Sequence, residues 1–192
     1  MKPNKNILLI AFLAVLTLGS VSCTKKMKRT DSKLKKIEEP FSSKKYFSDK
    51  KYFRATGEGR AMDLTVAKRI AETNARQALA SQIQVKVRSV GEQFLQNRAL
   101  DDKLETQSKF EDLTRTVVDQ TLTGVQTVDS ESYQNKKGQY VHYVAMQMST
   151  SDVEESMVNG ISNDSKLKQD FELKKFREIY QQELDKFSDE NR

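Results

Sequence analysis

The sequence has one cysteine, one histidine, two prolines and no tryptophan among its 192 residues. A lone cysteine cannot close an intramolecular disulfide. A lone histidine excludes a histidine-rich metal site, since zinc takes three or four Cys, His or carboxylate ligands. A Ser-His-Asp triad would have to use His142, and no Gly-x-Ser-x-Gly turn is present to carry its nucleophile. Gly57-Glu58-Gly59 lacks the third glycine of a dinucleotide fingerprint and the Gly-Lys-Ser/Thr of a P-loop. It reads instead as a tight strand-to-helix turn, and Asp63 at the following helix start would repel an anion. The acid pairs Asp101-Asp102 and Glu154-Glu155 fall at predicted helix starts, where the dipole favours carboxylates. No catalytic set, metal site or cofactor site emerges, and His142 reads as a packed or surface strand residue.

Charge is also scarce where it would matter for a polyanion. The formal net charge is +6 and the isoelectric point near 9.2. Residues 1–40 carry nine of the Lys and Arg and only three acids, whereas residues 41–192 carry 24 of each sign. The body therefore has no net field to attract nucleic acid, and no nucleic-acid partner is expected. Lys44-Lys45-Tyr46-Phe47 and Lys50-Lys51-Tyr52-Phe53 repeat a basic–aromatic texture at a six-residue step. This reads as a hinge that packs Phe47, Tyr52 and Phe53 on the domain, with surface or wall contact as the alternative. Hydrophobic residues make up 36% of the chain, and many lie in the first 23 positions. What remains suits one modest core plus a solvated helix.

The one long apolar run is Ile7 to Leu18, preceded by Lys2 and Lys5 and followed by Gly19-Ser20-Val21-Ser22 and Cys23. Twelve residues are too few for a comfortable bilayer span, which takes about 20. A basic start, a short apolar core and small residues after it make a secretory signal. The cysteine directly after a small residue resembles the lipobox of bacterial lipoproteins, although Ser20 stands where that motif carries Leu. The resemblance implies cleavage before Cys23, acylation of its sulfur, and a new N-terminus there. An ordinary signal that happens to contain a cysteine, or an uncleaved helical anchor, are the alternatives. Two or more acyl chains hold stably where one holds marginally, so the bilayer would be the first partner, through acylated Cys23. Thr24, by resemblance to enteric sorting, favours the outer membrane, with the body facing the periplasm.

Four segments follow: a signal over 1–22, the acylated cysteine and a basic tether over 23–50, an α+β domain over 51–150, and a helical segment over 151–192. The tether is rich in Lys and Ser and has no sustained apolar period. It reads as a solvated spacer, with headgroup contact limited to Lys25, Lys26 and Lys28. In the domain, Lys51–Gly57 reads as a strand broken by Gly57-Glu58-Gly59. From Asp63 the apolar spacing turns helical through Leu64, Ala67, Ala71, Ala75, Leu79 and Ile83. The β-branched Val85, Val87 and Val90 and then Gly91 predict distortion there, with a strand over 83–90 as the competing reading. A second helix covers 101–122. Two strands, 125–134 and 139–149, flank a turn containing Gly138, and the apolar groups on both faces of the second place it centrally in the sheet. Ser151 and Glu154 form a capping box for a helix through Ile161, and a further helix runs from Ser165 to Phe187.

The predicted fold class is thus α+β: a small antiparallel sheet, one N-terminal strand plus a C-terminal hairpin, packed on an Ala-rich helix, with a long C-terminal helix. Leu173, Phe176, Tyr180, Leu184 and Phe187 advance by three or four residues along that last helix. They pack on the protein's own domain or form a seam for a partner. The residues Ala55-Thr56-Gly57-Glu58-Gly59, the small-residue helix with Ala75-Arg76 and Ala78-Leu79-Ala80, Leu122-Thr123-Gly124-Val125 and Tyr140 to Met146 resemble the LPP-twenty family of small bacterial outer-membrane lipoproteins. The resemblance covers about residues 50–150. It implies a compact module on an acylated tether and a role in envelope structure, with no agreed enzymatic activity. The expected function is a non-enzymatic envelope structural or assembly component with an envelope protein partner or a second copy of itself. The alternative is a binding module for a wall polymer or small ligand in the sheet–helix groove.

Overall fold

The first strand, β1 (Tyr52–Ala61), runs straight through both glycines that the sequence assigns to a turn. The computed structural model describes residues 38–96 and 103–190, with side chains to residue 186. After β1 come α1 (Leu64–Gln96), α2 (Lys103–Thr121), β2 (Gln126–Gln134), β3 (Tyr140–Ser149), α3 (Thr150–Asn163), α4 (Ser165–Asp170) and α5 (Leu173–Glu190). The three strands form an antiparallel sheet in the order β1–β3–β2, so the hairpin's second strand is central, as its two apolar faces predict. The fold is α+β, a sheet covered by helices with a long helix at the C-terminal end.

Why β1 keeps its glycines is a matter of space. A Cβ on Gly57 would stand 2.1 Å from the Ala71 carbonyl oxygen, and one on Gly59 would stand 2.0 Å from that of Ala67. The helix backbone rests on the strand backbone, with Ala67, Ala71 and Ala75 fully buried between them. Gly57-Glu58-Gly59 is therefore a close-approach element and not the turn expected from sequence. The turn comes at Met62-Asp63, where Asp63 Oδ1 accepts from the Val66 N–H at 3.0 Å and caps α1. On β3, His142, Val144, Met146 and Met148 point into this layer and are buried.

Helix α1 is continuous over 33 residues, without the distortion or strand expected at Val85–Gly91. Val87 and Val90 are buried in the second half of the core, and a Cβ on Gly91 would lie 2.2 Å from the Phe110 ring. Tertiary packing there outweighs the weak helix propensity of valine and glycine. That end of the molecule is aromatic. Phe171 stacks between Phe94 and Phe110, at centroid distances of 4.2 and 5.0 Å, and Phe176 meets Phe110 edge-on at 6.3 Å.

The cap of α3 lies two residues before the expected capping box. Ser149 Oγ accepts from the Asp152 N–H, while Glu154 turns away to receive Arg177 and Gln181. The long C-terminal helix is likewise interrupted: Asp164 caps α4, which stops at Asp170, and α5 begins at Leu173. Leu167, Phe171, Phe176, Tyr180 and Leu184 belong to the same buried cluster as Phe53 and Met146. Helices α3, α4 and α5 thus supply part of the core, through residues up to Leu184. The other boundary shifts too. Residues 38–50, read as tether, are docked: Phe41 is buried, Ser48 Oγ bonds the Arg54 backbone, and Tyr46 donates to Asp129 Oδ2 at 2.7 Å.

Candidate functional site

Cys23, the signal run and the basic residues 24–37 lie outside the described residues. The described part begins with the docked stretch 38–49, which crosses the sheet face opposite α1. Arg54 on β1 donates to the Phe47 carbonyl at 2.8 Å and pairs with Asp49 at 2.7 Å, while Tyr46 reaches Asp129 on β2. The charge of Glu39 is felt by Tyr143 on β3, although burial is the main cause that holds that phenol above its ordinary value. Ala145, on this face by alternation, is buried. Of the hinge aromatics, Phe53 is fully buried, whereas Phe47 is 40% exposed.

The C-terminal stripe turns inward. Phe176 and Tyr180 are fully buried, Leu184 nearly so, and Leu173 packs partly buried against the same core. The Tyr180 hydroxyl donates to the Thr150 carbonyl at 2.8 Å, and burial raises its phenol well above the ordinary range. These four side chains are not available as a partner seam: the lean core needs them. Phe187 falls outside the described side chains.

The sheet–helix groove is equally filled, because backbone meets backbone at Gly57 and Gly59. Clefts lie elsewhere on the described surface, one of them between α2 and the α3–α4 junction, lined by Lys109, Leu113, Gly160 and Leu167. A second lies between α1 and α2, lined by Gly91, Leu95 and Phe110 and by Gln84, Arg88, Glu92, Gln107 and Arg115. A third borders β1, between the docked stretch and Ala78 and Gln82 of α1.

His142 is a buried strand residue whose Nδ1 lies 2.8 Å from Ser132 Oγ. Burial, then the charge of Lys68, lowers its pKa, with Glu72 opposing. Sequence periodicity misses the buried carboxylates, because it marks only apolar positions. Glu183, on α5, accepts from Ser89 at 3.0 Å, from Gln93 and from Lys186 at 2.6 Å, and lies 3.5 Å from Lys86 Nζ. Burial alone would raise it; the three hydrogen bonds and Lys86 outweigh burial and hold its pKa at about 2. Glu154 holds Arg177 at 2.9 Å and Gln181 at 2.7 Å, and Asp170 holds Thr106 and Lys166. Each group ties one helix to another or closes a helix turn. Among the described residues no three His, Cys, Asp or Glu side chains gather to hold a metal ion, and no helix is long and apolar enough to cross a membrane.

Compared with known proteins, the chain matches no family model, no curated protein and no solved structure.

Proposed function

We propose that this protein is a lipid-anchored bacterial envelope lipoprotein of LPP-twenty type that acts through protein contacts and not as an enzyme. One observation carries the reading: Cys23 follows a basic start, a twelve-residue apolar run and four residues that end in Ser22. Acylation accounts for a lone cysteine at that position in a chain that would be exported. Its anchor is the diacyl- or triacyl-cysteine, and its address is the outer membrane, body towards the periplasm.

The domain's architecture supports the same role. Its buried carboxylates serve helix contacts, its sheet–helix interface is filled by backbone against backbone, and its long helices rest on one shared core. Between Cys23 and Glu38, where the described residues begin, fourteen residues can span at most roughly 50 Å. The body would work within that radius of the bilayer, as a positioned contact surface.

Labelling cells with a radioactive fatty acid and fractionating them tests this. The native chain takes up label and sediments with membranes, whereas Cys23→Ala takes up none and is released. Mass spectrometry of a mature chain that starts elsewhere, or carries a bare thiol, defeats the proposal. Purified peptidoglycan should fail to retain the protein; retention would favour the wall-polymer reading.

A further inference from the structure

The two Lys-Lys-Tyr-Phe repeats are held in opposite ways. The second is fixed to the body. The Lys50 carbonyl accepts from the Thr150 hydroxyl at 2.7 Å and the Lys51 carbonyl from the Thr150 N–H at 3.0 Å. Tyr52 opens β1, and Phe53 is fully buried. Ser48 and Asp49 belong to this fixed part, since Ser48 Oγ accepts the Arg54 N–H at 2.8 Å and Asp49 Oδ1 accepts the Tyr52 N–H at 3.0 Å.

The first repeat and the residues before it have a lighter hold. Among the described residues, the backbone amides of 38–47 that bond do so within the stretch, Tyr46 to Ser43 and Phe47 to Lys44. The body reaches its backbone through the Arg54 guanidinium, which donates to the Phe47 carbonyl. The remaining holds are side chains. The Tyr46 hydroxyl donates to Asp129 Oδ2 at 2.7 Å, and Phe41 is buried beside Tyr46 with ring centroids 4.8 Å apart. Lys45 Nζ stands 3.7 Å from the same carboxylate, but its side chain is 65% exposed, so that pair adds little. Phe41 pays for its place with a left-handed backbone, φ 61°, which a bulky residue adopts at a cost. Beneath the stretch the packing is incomplete: a cleft of about 510 Å³ is lined by Phe41, Tyr46 and Phe47 and, from the body, by Thr56, Ala78 and Gln82.

The sheet is nevertheless shaped to receive Tyr46. The bulge between Thr127 and Asp129 sets Asp129, instead of Val128, opposite Ala145. Thr56, Ala145 and Asp129 then form one row across the three strands, with the small, buried Ala145 in the middle. Tyr46 borders Thr56 at one end of this row and bonds Asp129 at the other.

We propose that residues 38–47 are a latch that leaves and rejoins the sheet as a unit, about a hinge at Ser48, while the rest of the domain stays folded. The protein then has two tether lengths. Latched, fourteen residues separate Cys23 from Glu38; unlatched, residues 24–47 all separate Cys23 from Ser48, and the greatest span rises from roughly 50 to roughly 85 Å. Tension from the Cys23 side enters at Glu38, so it loads Phe41 first and Tyr46 next, never both together. The change of reach rests on the lipid-anchor reading; the latch itself does not.

Trypsin acting on the full chain in detergent tests this, because cleavage requires a segment to leave the fold and its rate tracks the open population when reclosing is fast. Mass spectrometry should find cuts after Lys44 and Lys45 well before any after Lys50, Lys51 or Arg54. Tyr46→Phe should speed cleavage at the first repeat roughly tenfold. Asp129→Ala should do at least as much, and the double variant no more than Asp129→Ala, since both remove one bond. The second repeat should keep its native resistance in all three. Phe41→Gly, which accepts the left-handed backbone, should be cut more slowly than Phe41→Ala, which does not. If the first repeat is cut only when the second is, the stretch opens with the body and the proposal is overturned. Cleavage at the first repeat that ignores both Tyr46→Phe and Asp129→Ala overturns it too, because Asp129 then holds nothing. A bare thiol at Cys23 would remove the anchor and leave these cleavage results unchanged, so the two readings fail separately.

Discussion

Helix α1 is packed twice along its length, by opposite means. Its first half meets β1 through Ala67, Ala71 and Ala75 against Gly57 and Gly59, so that backbone lies on backbone. Its second half meets α2 and α5 through Leu79, Ile83, Val87, Val90 and Phe94, in a cluster with Phe110, Phe171 and Phe176. The first seam is built from side chains that are missing and the second from side chains that are large. The first should fail when atoms are added, and the second when atoms are removed.

The largest effect is expected at the first seam. Gly57→Val places three carbons where the Ala71 carbonyl and the Ala75 amide already stand, 2.1 and 2.6 Å from a single Cβ. Neither neighbour is the end of a flexible side chain, so strand and helix must separate. We expect a loss above about 4 kcal/mol, enough to prevent folding of a domain of ordinary stability. Circular dichroism and protease resistance would show it. Folded protein in normal yield would mean that the seam is looser than its geometry.

Removing atoms at the second seam should cost nearly as much. Phe176→Ala empties the space between Phe110, Phe171 and Tyr180 and should cost about 3–5 kcal/mol in urea unfolding. Phe176→Leu, which keeps much of the volume, should recover more than half of that. An equal loss for both variants would point to the aromatic edge contacts, and not the volume, as the cause.

The elements of this fold could be read from the sequence with more success than the way they meet. Periodicity located α1 and α2, the hairpin turn at Gly138, with its positive φ, and the central place of β3. It failed where a residue's role is set by a distant neighbour. Gly57 and Gly59 resemble a turn locally, and only the helix folded over them explains their lack of a side chain. Gly91 resembles a weak point, yet it seats Phe110. Ser151 and Glu154 have capping-box spacing, but Arg177 and Gln181 claim Glu154, and the cap passes to Ser149. For the candidate site the legibility is reversed. Cys23 is conspicuous in the sequence and lies outside the described residues, whereas the buried carboxylates Glu154, Asp170 and Glu183 emerge only once the helices are packed.

A third contrast lies inside the second seam, where a charged pair sits among apolar groups. Glu183→Gln keeps the volume but removes the buried carboxylate that faces Lys86 and accepts from Ser89 and Lys186, and should cost on the order of 3 kcal/mol near neutral pH. Its pH dependence has a definite sign. The carboxyl titrates at about 2 in the folded chain against 4.5 as the ordinary value. Its contribution is therefore complete above the unfolded value and fades as pH falls towards about 2. Urea midpoints of the native chain and Glu183→Gln should lie far apart near neutral pH and converge in acid. Curves that stay parallel throughout would show that the carboxylate's charge contributes nothing.

The smallest expected effect is at the start of α3. Ser149 Oγ accepts the Asp152 N–H at the start of α3, at 3.3 Å, and also contacts Ser151 Oγ at 2.7 Å. Ser149→Ala leaves that N–H to water and should cost about 1 kcal/mol. Ser151→Ala, which the sequence spacing alone would rank as the cap, should cost less, because Ser151 only touches the hydroxyl that does the capping. Glu154→Gln separates the two accounts further. A capping-box acid would lose little with the amide, which can still accept from a backbone N–H. An acid that holds Arg177 at 2.9 Å loses its ion pair, so the penalty should fall with added salt. If Ser151→Ala proved the more costly serine variant, the cap would lie where the sequence placed it, and Glu154 would have to serve the helix start as well as α5.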